Sequence, residues 1–257
     1  VITGLLHRRS GGPLRILLDG AISARIRTWP GRSDIAHLIL SDHTLGPSAS
    51  GLKDWVRTIR ASGFDTIRTG AISAHVARVF LDVGFHEIQR LALLELDDPA
   101  AITRLRKMRT PMYELRQLRS LRSMQLAADI DSRAFEPDWD MDAPSIREAC
   151  LATPHHHIRL AVAADDQPVG YMVTGRSATT GFIQRLAVDP SYEGLGVGSA
   201  LLQDGLNWLA RHRVDSILVN THLDNDRALA LYGRWGFREV DQHLQVLEWS
   251  NRAQESA

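Results

Sequence analysis

Apolar and polar positions along this chain fall into short blocks whose period alternates between strand and helix. In the second half, "HIRLAVAA" (157–164) and "PVGYMVTG" (168–175) are apolar runs around "DDQ", which predicts a hairpin. "GFIQRLAV" (181–188) predicts a third strand, ended by Asp189-Pro190. "VGSALLQDGLNWLARH" (197–212) spaces Leu201, Leu202, Leu206, Leu209 and Ala210 as a helix does. "SILVN" (216–220) predicts a fourth strand, and "DNDRALALYGRWGF" (224–237) a short helix with Asp224 or Asn225 suited to its N-cap. "REVDQHLQVLEW" (238–249) closes the half as one or two strands.

The first half repeats this order. "LRILLDG" and "ISARIRTW" suggest a hairpin, "AHLILSD" (36–42) a third strand and "SGLKDWVRTIRASGF" (50–64) a helix. "DTIRTG" then reads as a strand, "SAHVARVFLDVGF" (73–85) as a helix and "HEIQRLALLEL" as a last strand. Laid without gaps, Thr69–Phe85 matches Thr221–Phe237 at Thr, Gly and Phe, and both copies continue as Gly-Phe-x-Glu. A duplication explains the shared order. The copies differ at three places: "LGPSASG" (45–51) stands where the second half has a glycine loop, Phe80 falls opposite Tyr232, and Ser73 opposite Asn225. Pro47 in that stretch also removes an N–H donor. The first half therefore reads as a fold kept and a site lost.

Between the halves, Arg104, Arg106, Lys107, Arg109, Arg116, Arg119 and Arg122 cluster in 97–124. This reads as a solvated linker leading into the first strand and helix of the second domain. An anionic-partner surface is the other possibility, but Lys+Arg and Asp+Glu balance at 30 each. No global field favours nucleic acid. No apolar run approaches the roughly 18 residues of a membrane helix, and "VITGLLHRRSGG" lacks the order of a secretory signal. A cytoplasmic protein is the expectation. Cys150 is the only cysteine, so an intrachain disulfide is excluded. It reads as a half-buried helix residue. "PHHH" (154–157) resembles a metal cluster, yet adjacent side chains on a strand cannot converge on one ion. No metal is expected.

"YEGLGVGSALL" (192–202) carries the most chemistry. Gly194, Gly196 and Gly198 alternate and then give way to a helix start, which presents backbone N–H groups to an anion. A P-loop needs Gly-Lys-[Ser/Thr], and the lysines, Lys53 and Lys107, lie elsewhere. A dinucleotide fingerprint would want an acid at the end of the next strand, which instead ends Asn220-Thr221. The dinucleotide match is poor, and coenzyme A is a third candidate. The segment Glu193-Gly194-Leu195-Gly196-Val197-Gly198, preceded by "LAVDP" (186–190) and followed by "DNDRALALYGRWGF", resembles the GNAT superfamily of acyl-CoA-dependent N-acetyltransferases. The family patterns are [Gln/Arg]-x-x-Gly-x-[Gly/Ala] and Asn-x-x-Ala-x-x-Leu-Tyr-x-x-x-Gly-Phe. Glu193 departs from the first, since Gln or Arg is usual there.

The resemblance implies an α/β chain of the α+β type, with two tandem GNAT-like domains, each a mixed, mostly antiparallel sheet flanked by helices. The expected boundaries are 1–96 for a degenerate domain without a CoA loop, 97–111 for a linker, 112–250 for the acetyl-CoA-binding domain and 251–257 for a tail. Acetyl-CoA would lie against Leu186, Ala187, Val188, Gly194, Leu195, Gly196, Val197, Gly198, Ser199 and Asn225. An N–H of Leu186-Ala187-Val188 would meet the thioester oxygen, and Tyr232 would protonate the leaving sulfur. A phenol with a pKa near ~10 is a ready donor at pH 7.

Residues 131–144 sit where the family carries an acceptor loop, with Phe135 and Trp139 suited to a cationic amine. Asn220 occupies the place of the glutamate base of ribosomal-protein alanine N-acetyltransferases and cannot accept a proton. Glu136, His222 or Asp224 could act through water. Deprotonating a lysine at pH 7 costs roughly 4–5 kcal/mol and an α-amine about 1, so a site without a strong base suits α-amines. The expectation is acetyl transfer to a peptide or protein N-terminus or a small amine, by a monomer or dimer. A non-catalytic acyl-CoA sensor or scaffold, favoured by Glu193 and the missing base, and an aminoglycoside-type antibiotic acetyltransferase, which would show a strongly acidic cleft, are the alternatives.

Overall fold

The computed structural model of the chain describes residues 5–6, 14–41, 45–98 and 113–251. The elements of the first run are β1 (Leu5–Leu6), β2 (Leu14–Asp19), β3 (Ile22–Trp29), β4 (Arg32–Leu40), α1 (Ala49–Arg60), β5 (Thr66–Thr69), β6 (Ile72–Ser73), α2 (Ala74–Asp82) and β7 (His86–Leu96). The second run is β8 (Glu114–Gln117), α3 (Leu121–Ala134), α4 (Ala143–Leu151), β9 (His155–Val162), β10 (Pro168–Ser177) and β11 (Thr180–Val188). It continues through a 3-10 turn (Pro190–Tyr192) to α5 (Val197–Arg211), β12 (Ser216–His222), α6 (Asp226–Arg234) and β13 (Arg238–Ser250). The hairpin, strand, helix, strand, helix order recurs, as the sequence implies.

The chain divides into two compact units, one of Val1–Ala92 with Asp241–Ala257 and one of Leu93–Val240. The boundaries expected from sequence run straight along the chain, whereas here the last strand groups with the first unit. The reason is its apolar pair. Leu247 and Trp249 are buried in the first unit's core with Trp55, Ile59, Ile67 and Phe80, and β13 pairs antiparallel with β5 through Glu248–Arg68, Trp249–Ile67 and Ser250–Thr66. Of the linker between the halves, Arg104, Arg106, Lys107 and Arg109 lie outside the described residues.

In the first unit β2, β3 and β4 form an antiparallel meander, and β4 runs parallel to β5. α1 folds onto this sheet because Leu52, Trp55, Val56 and Ile59 recur on one face, and all four are buried. The second unit has the same plan. β8, β9, β10 and β11 are antiparallel neighbours, and β11 runs parallel to β12. β10 is buried along almost its whole length, because α3 and α4 contact it as well as α5. Gly205 lets α5 approach closely, since a Cβ there would lie 2.3 Å from the Met172 terminal methyl. No helix among the described residues is long and apolar enough to cross a membrane.

Candidate active site

The second unit's sheet opens at one point. The β11–β12 ladder runs from Thr180–Ser216 to Ile183–Val219 and stops there. Beside that last rung β11 carries an extra residue, Gln184, between the pairs Arg185–Val173 and Ile183–Thr174. This bulge bends the strand, and bulges re-aim the residues beyond them. β11 continues against β10 alone as far as Val188. The Asp189 N–H bonds the Val169 carbonyl at 2.9 Å, toward β10. Amides alternate sides along a strand, so the N–H groups of Val188 and Leu186 face the side that β12 has left.

A cleft of about 650 Å³ lies there. Its wall takes in Ala134 and Phe135, Leu186–Val188, the glycine loop with the start of α5, and one side of α6 from its cap Asn225 to Arg234. The loop is built by glycine where it must be: Gly194 has φ +74° and Gly196 φ +90°, a region that costs other residues roughly 1–2 kcal/mol. Gly196 caps α5 with no side-chain hydrogen bond. The first N–H groups of that helix therefore have no partner four residues back, and they lie at its positive end. At Gly198 a Cβ would sit 3.4 Å from Leu231 and 3.6 Å from Val188, ordinary contact distances, so the backbone here comes close to both without demanding glycine. The Tyr113 hydroxyl donates to the Leu195 carbonyl at 3.1 Å and steadies the loop from outside.

These features fit an acyl-CoA: amides for a diphosphate, an opened strand for the pantetheine arm and free strand N–H groups for a carbonyl. Of the residues nominated from sequence, the cleft gathers Phe135, Leu186, Ala187, Val188, Gly194, Gly196, Val197, Gly198, Ser199 and Asn225. Leu195 is not among the wall residues and is 55% exposed. Asn225 is both wall and cap: its amide oxygen accepts the Ala228 N–H at 3.0 Å, which leaves its NH₂ group to the cleft.

Tyr232 is buried at 4% exposure and is not itself among the wall residues, although its neighbour in sequence, Leu231, is. Burial pushes its phenol well above the usual value, and the Arg185 charge opposes this. The Gly-Phe of its motif is a helix stop of Schellman type. Gly236 has φ +88°, its N–H bonds Gly233, and the Phe237 N–H reaches back to the Tyr232 carbonyl at 3.1 Å. The ring of Phe237 lies 5.6 Å from that of Tyr232.

Trp139 and Asn220 are not among the wall residues, and neither are Glu136, His222 and Asp224. Asn220 lies past the last β11–β12 rung. His222 accepts the Asp224 N–H at 3.2 Å through Nδ1. The acceptor loop is shorter than 131–144, because α3 runs to Ala134 and α4 starts at Ala143. Asp131 is a helix residue with a task of its own. Wholly buried, it takes the Arg185 guanidinium in a fork (2.9 and 2.6 Å), the Tyr171 hydroxyl at 2.5 Å and the Met141 N–H at 2.6 Å. Arg185 also bonds the Trp139 carbonyl at 2.8 Å and lies over the Phe135 ring at 3.4 Å. This clamp ties the loop to the bulged strand. Removing one partner of such a buried pair costs roughly 3–5 kcal/mol. The sequence carried a sign of it, a carboxylate on the apolar stripe Ala127, Ala128, Ile130 and an arginine inside an apolar strand.

The histidine run divides. His155 and His156 are exposed, while His157 meets Asp204 at 2.5 Å and stacks on Trp208. Cys150 is fully buried rather than half-buried, and burial pushes its thiol up to about 11. At the mouth of the cleft Glu193 forms an ion pair with Arg227. Sequence reasoning noticed Glu193 and missed its partner.

Residues 124–237 match the model of the Acetyltransferase (GNAT) family. The N-alpha-acetyltransferase RimI of Mycobacterium tuberculosis is 35% identical over 120 residues, 45% of this chain and 73% of that one. A mycothiol acetyltransferase of Acidimicrobium ferrooxidans is 30% identical over 178 residues, 65% of this chain, which spans only 54% of that relative. Among solved structures, a tandem GNAT protein from the clavulanic acid biosynthesis pathway superposes with a TM-score of 0.65, covering 94% of this chain and 81% of that one at 16% identity. A GCN5-related N-acetyltransferase from Kribbella flavida gives 0.61 over 91% and 89% at 14% identity. At such identities the structures speak for the fold.

Proposed function

Because the chain belongs to the GNAT family of acetyltransferases, we propose that it moves the acetyl group of acetyl-CoA onto an α-amine, by direct attack while both substrates are bound. The observation that carries this reading is the opening of β11 from β12 directly onto a glycine loop at a helix start. Bound there, acetyl-CoA would supply a thioester carbonyl as the electrophile. The amides of Val197, Gly198 and Ser199 would hold its diphosphate. The Val188 or Leu186 N–H would polarise the carbonyl, fixed in place before reaction. Tyr232 would give its proton to the departing sulfur, the proton shed by the amine nitrogen would restore the phenol, and its raised pKa keeps the phenol protonated through the working range.

The acceptor follows from what the cleft wall holds. Its acids are Glu193 and Asp226, set against Arg227 and Arg234, all on the glycine loop or α6. No strongly acidic pocket for a polycationic antibiotic is formed by these residues. With Asn220 in place of a carboxylate, an amine that is already partly neutral at pH 7 is the better substrate. The names of two relatives, N-alpha-acetyltransferase RimI and N-alpha-acetyltransferase 30, point the same way. A small amine of the mycothiol acetyltransferase kind is the next acceptor to try.

The test is thiol release from acetyl-CoA with mass analysis of products, over peptides with a free α-amine, Nα-blocked lysine peptides, small amino sugars and aminoglycosides. Turnover of the free α-amine with no reaction at blocked lysine is expected. Preference for lysine or an aminoglycoside would refute the acceptor class. Coenzyme binding without turnover of any amine would make the protein a sensor.

A further inference from the structure

The first residue of the glycine-loop motif is a carboxylate, Glu193, in a cleft that otherwise offers donors to a diphosphate. Its backbone is fixed, since its N–H bonds the Pro190 carbonyl at 3.3 Å, so only the side chain can respond to an arriving anion. That side chain is paired with Arg227, the second residue of α6, and both line the cleft. Arg227 is 78% exposed and Glu193 37%. The other charged groups on this wall are Asp226 and Arg234, so the side chains balance and the positive start of α5 is left to set the field.

We infer that Arg227 is a diphosphate-binding residue, and that Glu193 holds it at the cleft mouth as a competing carboxylate until the coenzyme arrives. This rests on the acyl-CoA reading of the same cleft. An ion pair this exposed is weakly held, because water and salt screen it. A diphosphate carries more charge than a carboxylate, and the planar guanidinium matches its oxygens with charge-assisted hydrogen bonds. The arginine therefore changes partner, and Glu193 returns to water at little cost. The departure of Glu193 from the family pattern then moves the cation from the loop to the facing helix.

Isothermal titration of the full chain with coenzyme A, at two salt concentrations, tests the exchange in a cycle of wild type, Glu193→Gln, Arg227→Ala and the double variant. Arg227→Ala should weaken binding about tenfold, the effect of losing one charge-assisted hydrogen bond, and flatten the salt dependence. Glu193→Gln should tighten binding by about threefold, and this gain should shrink when Arg227 is absent. A gain cannot come from misfolding. With 3′-dephospho-coenzyme A, which keeps the diphosphate, the loss in Arg227→Ala should be unchanged. Unaltered affinity in Arg227→Ala, weaker binding in Glu193→Gln, an undiminished gain in the double variant, or a loss that vanishes with the dephospho form would each overturn the inference. A wild type that binds no coenzyme A would fail the acyl-CoA reading itself, whereas a binding wild type with unmoved variants would fail this inference alone.

Discussion

Two helix starts occupy the same place in the two units and are finished differently. α5 begins at Gly196, in left-handed conformation and with no side-chain cap. α1 begins at Ser48, whose hydroxyl accepts the Gly51 N–H at 3.0 Å, while the Asp19 carboxylate accepts the Ser48 N–H at 2.6 Å. A Cβ on Gly51 would lie 2.3 Å from the Asp19 carboxyl carbon. The first unit has put one of its own carboxylates where the second leaves room for an anion. The strands differ in the same sense. The β4–β5 ladder runs through His37–Arg68 and Leu38–Thr69 and gains a Gly70 N–H bond to Leu38 at 3.1 Å. The matching positions in β12, Asn220 and Thr221, lie beyond the point where β11 has parted.

What both units keep is equally telling. Gly84 has φ +96°, and the Phe85 N–H bonds Phe80 at 3.0 Å, the same helix stop as Gly236 and Phe237. Ser73 and Asn225 are both N-caps. The shared motif residues hold the fold.

The largest effect should come from exchanging the matched rings. Tyr232→Phe is expected to lower kcat by about 10²-fold or more, the usual range for a general acid, with little change in acetyl-CoA affinity. Adding Phe80→Tyr should restore nothing. Because burial holds the Tyr232 phenol above its ordinary pKa near 10, kcat should not fall on the alkaline side below about pH 10. Recovery in the double variant would place chemistry in the first unit.

Next in size is the self-made anchor. Asp19→Ala should weaken the start of α1 by about 1–3 kcal/mol, read as faster amide exchange over 49–60, because a charged acceptor is lost. Coenzyme affinity should stay as it was. A drop would show that the first unit takes part in binding.

The smallest contrast is in acid. Burial, then the Arg27 and Arg25 charges, push His37 down to about 3. An unfolded histidine takes its proton near pH 6.5, so below that pH the unfolded chain binds more protons and the first unit loses stability, about 1 kcal/mol by pH 5.5. In the second unit, burial pushes the Asp189 and Asp204 carboxyls up, but their partners (the Ser191 N–H and Arg133, His157 and Arg159) outweigh it and hold both low. Their stabilising share is present above about pH 4 and lost only as pH falls through the depressed values. Amide exchange across pH 7 to 4 should show the first unit loosening earlier, and His37→Gln should remove the difference. Simultaneous loosening would contradict it.

Much of this was legible in the sequence. Periodicity placed the strands and helices because each buries one apolar face, and the alternating glycines announced a helix start with N–H groups open to an anion. That the last strand joins the first unit was not legible, since Leu247 and Trp249 say that they are buried and not in which core. The Asp131–Arg185 clamp joins residues far apart in the chain, and Arg227 looked like any exposed helix arginine. Charge pairs carry no period.

Amide exchange of the whole chain with and without acetyl-CoA tests the central claim most directly. The account predicts protection at 186–199 and at the first turn of α6, saturating at one coenzyme per chain, with 45–52 unchanged. Protection around 45–52, or none at the glycine loop under saturating coenzyme, would contradict it.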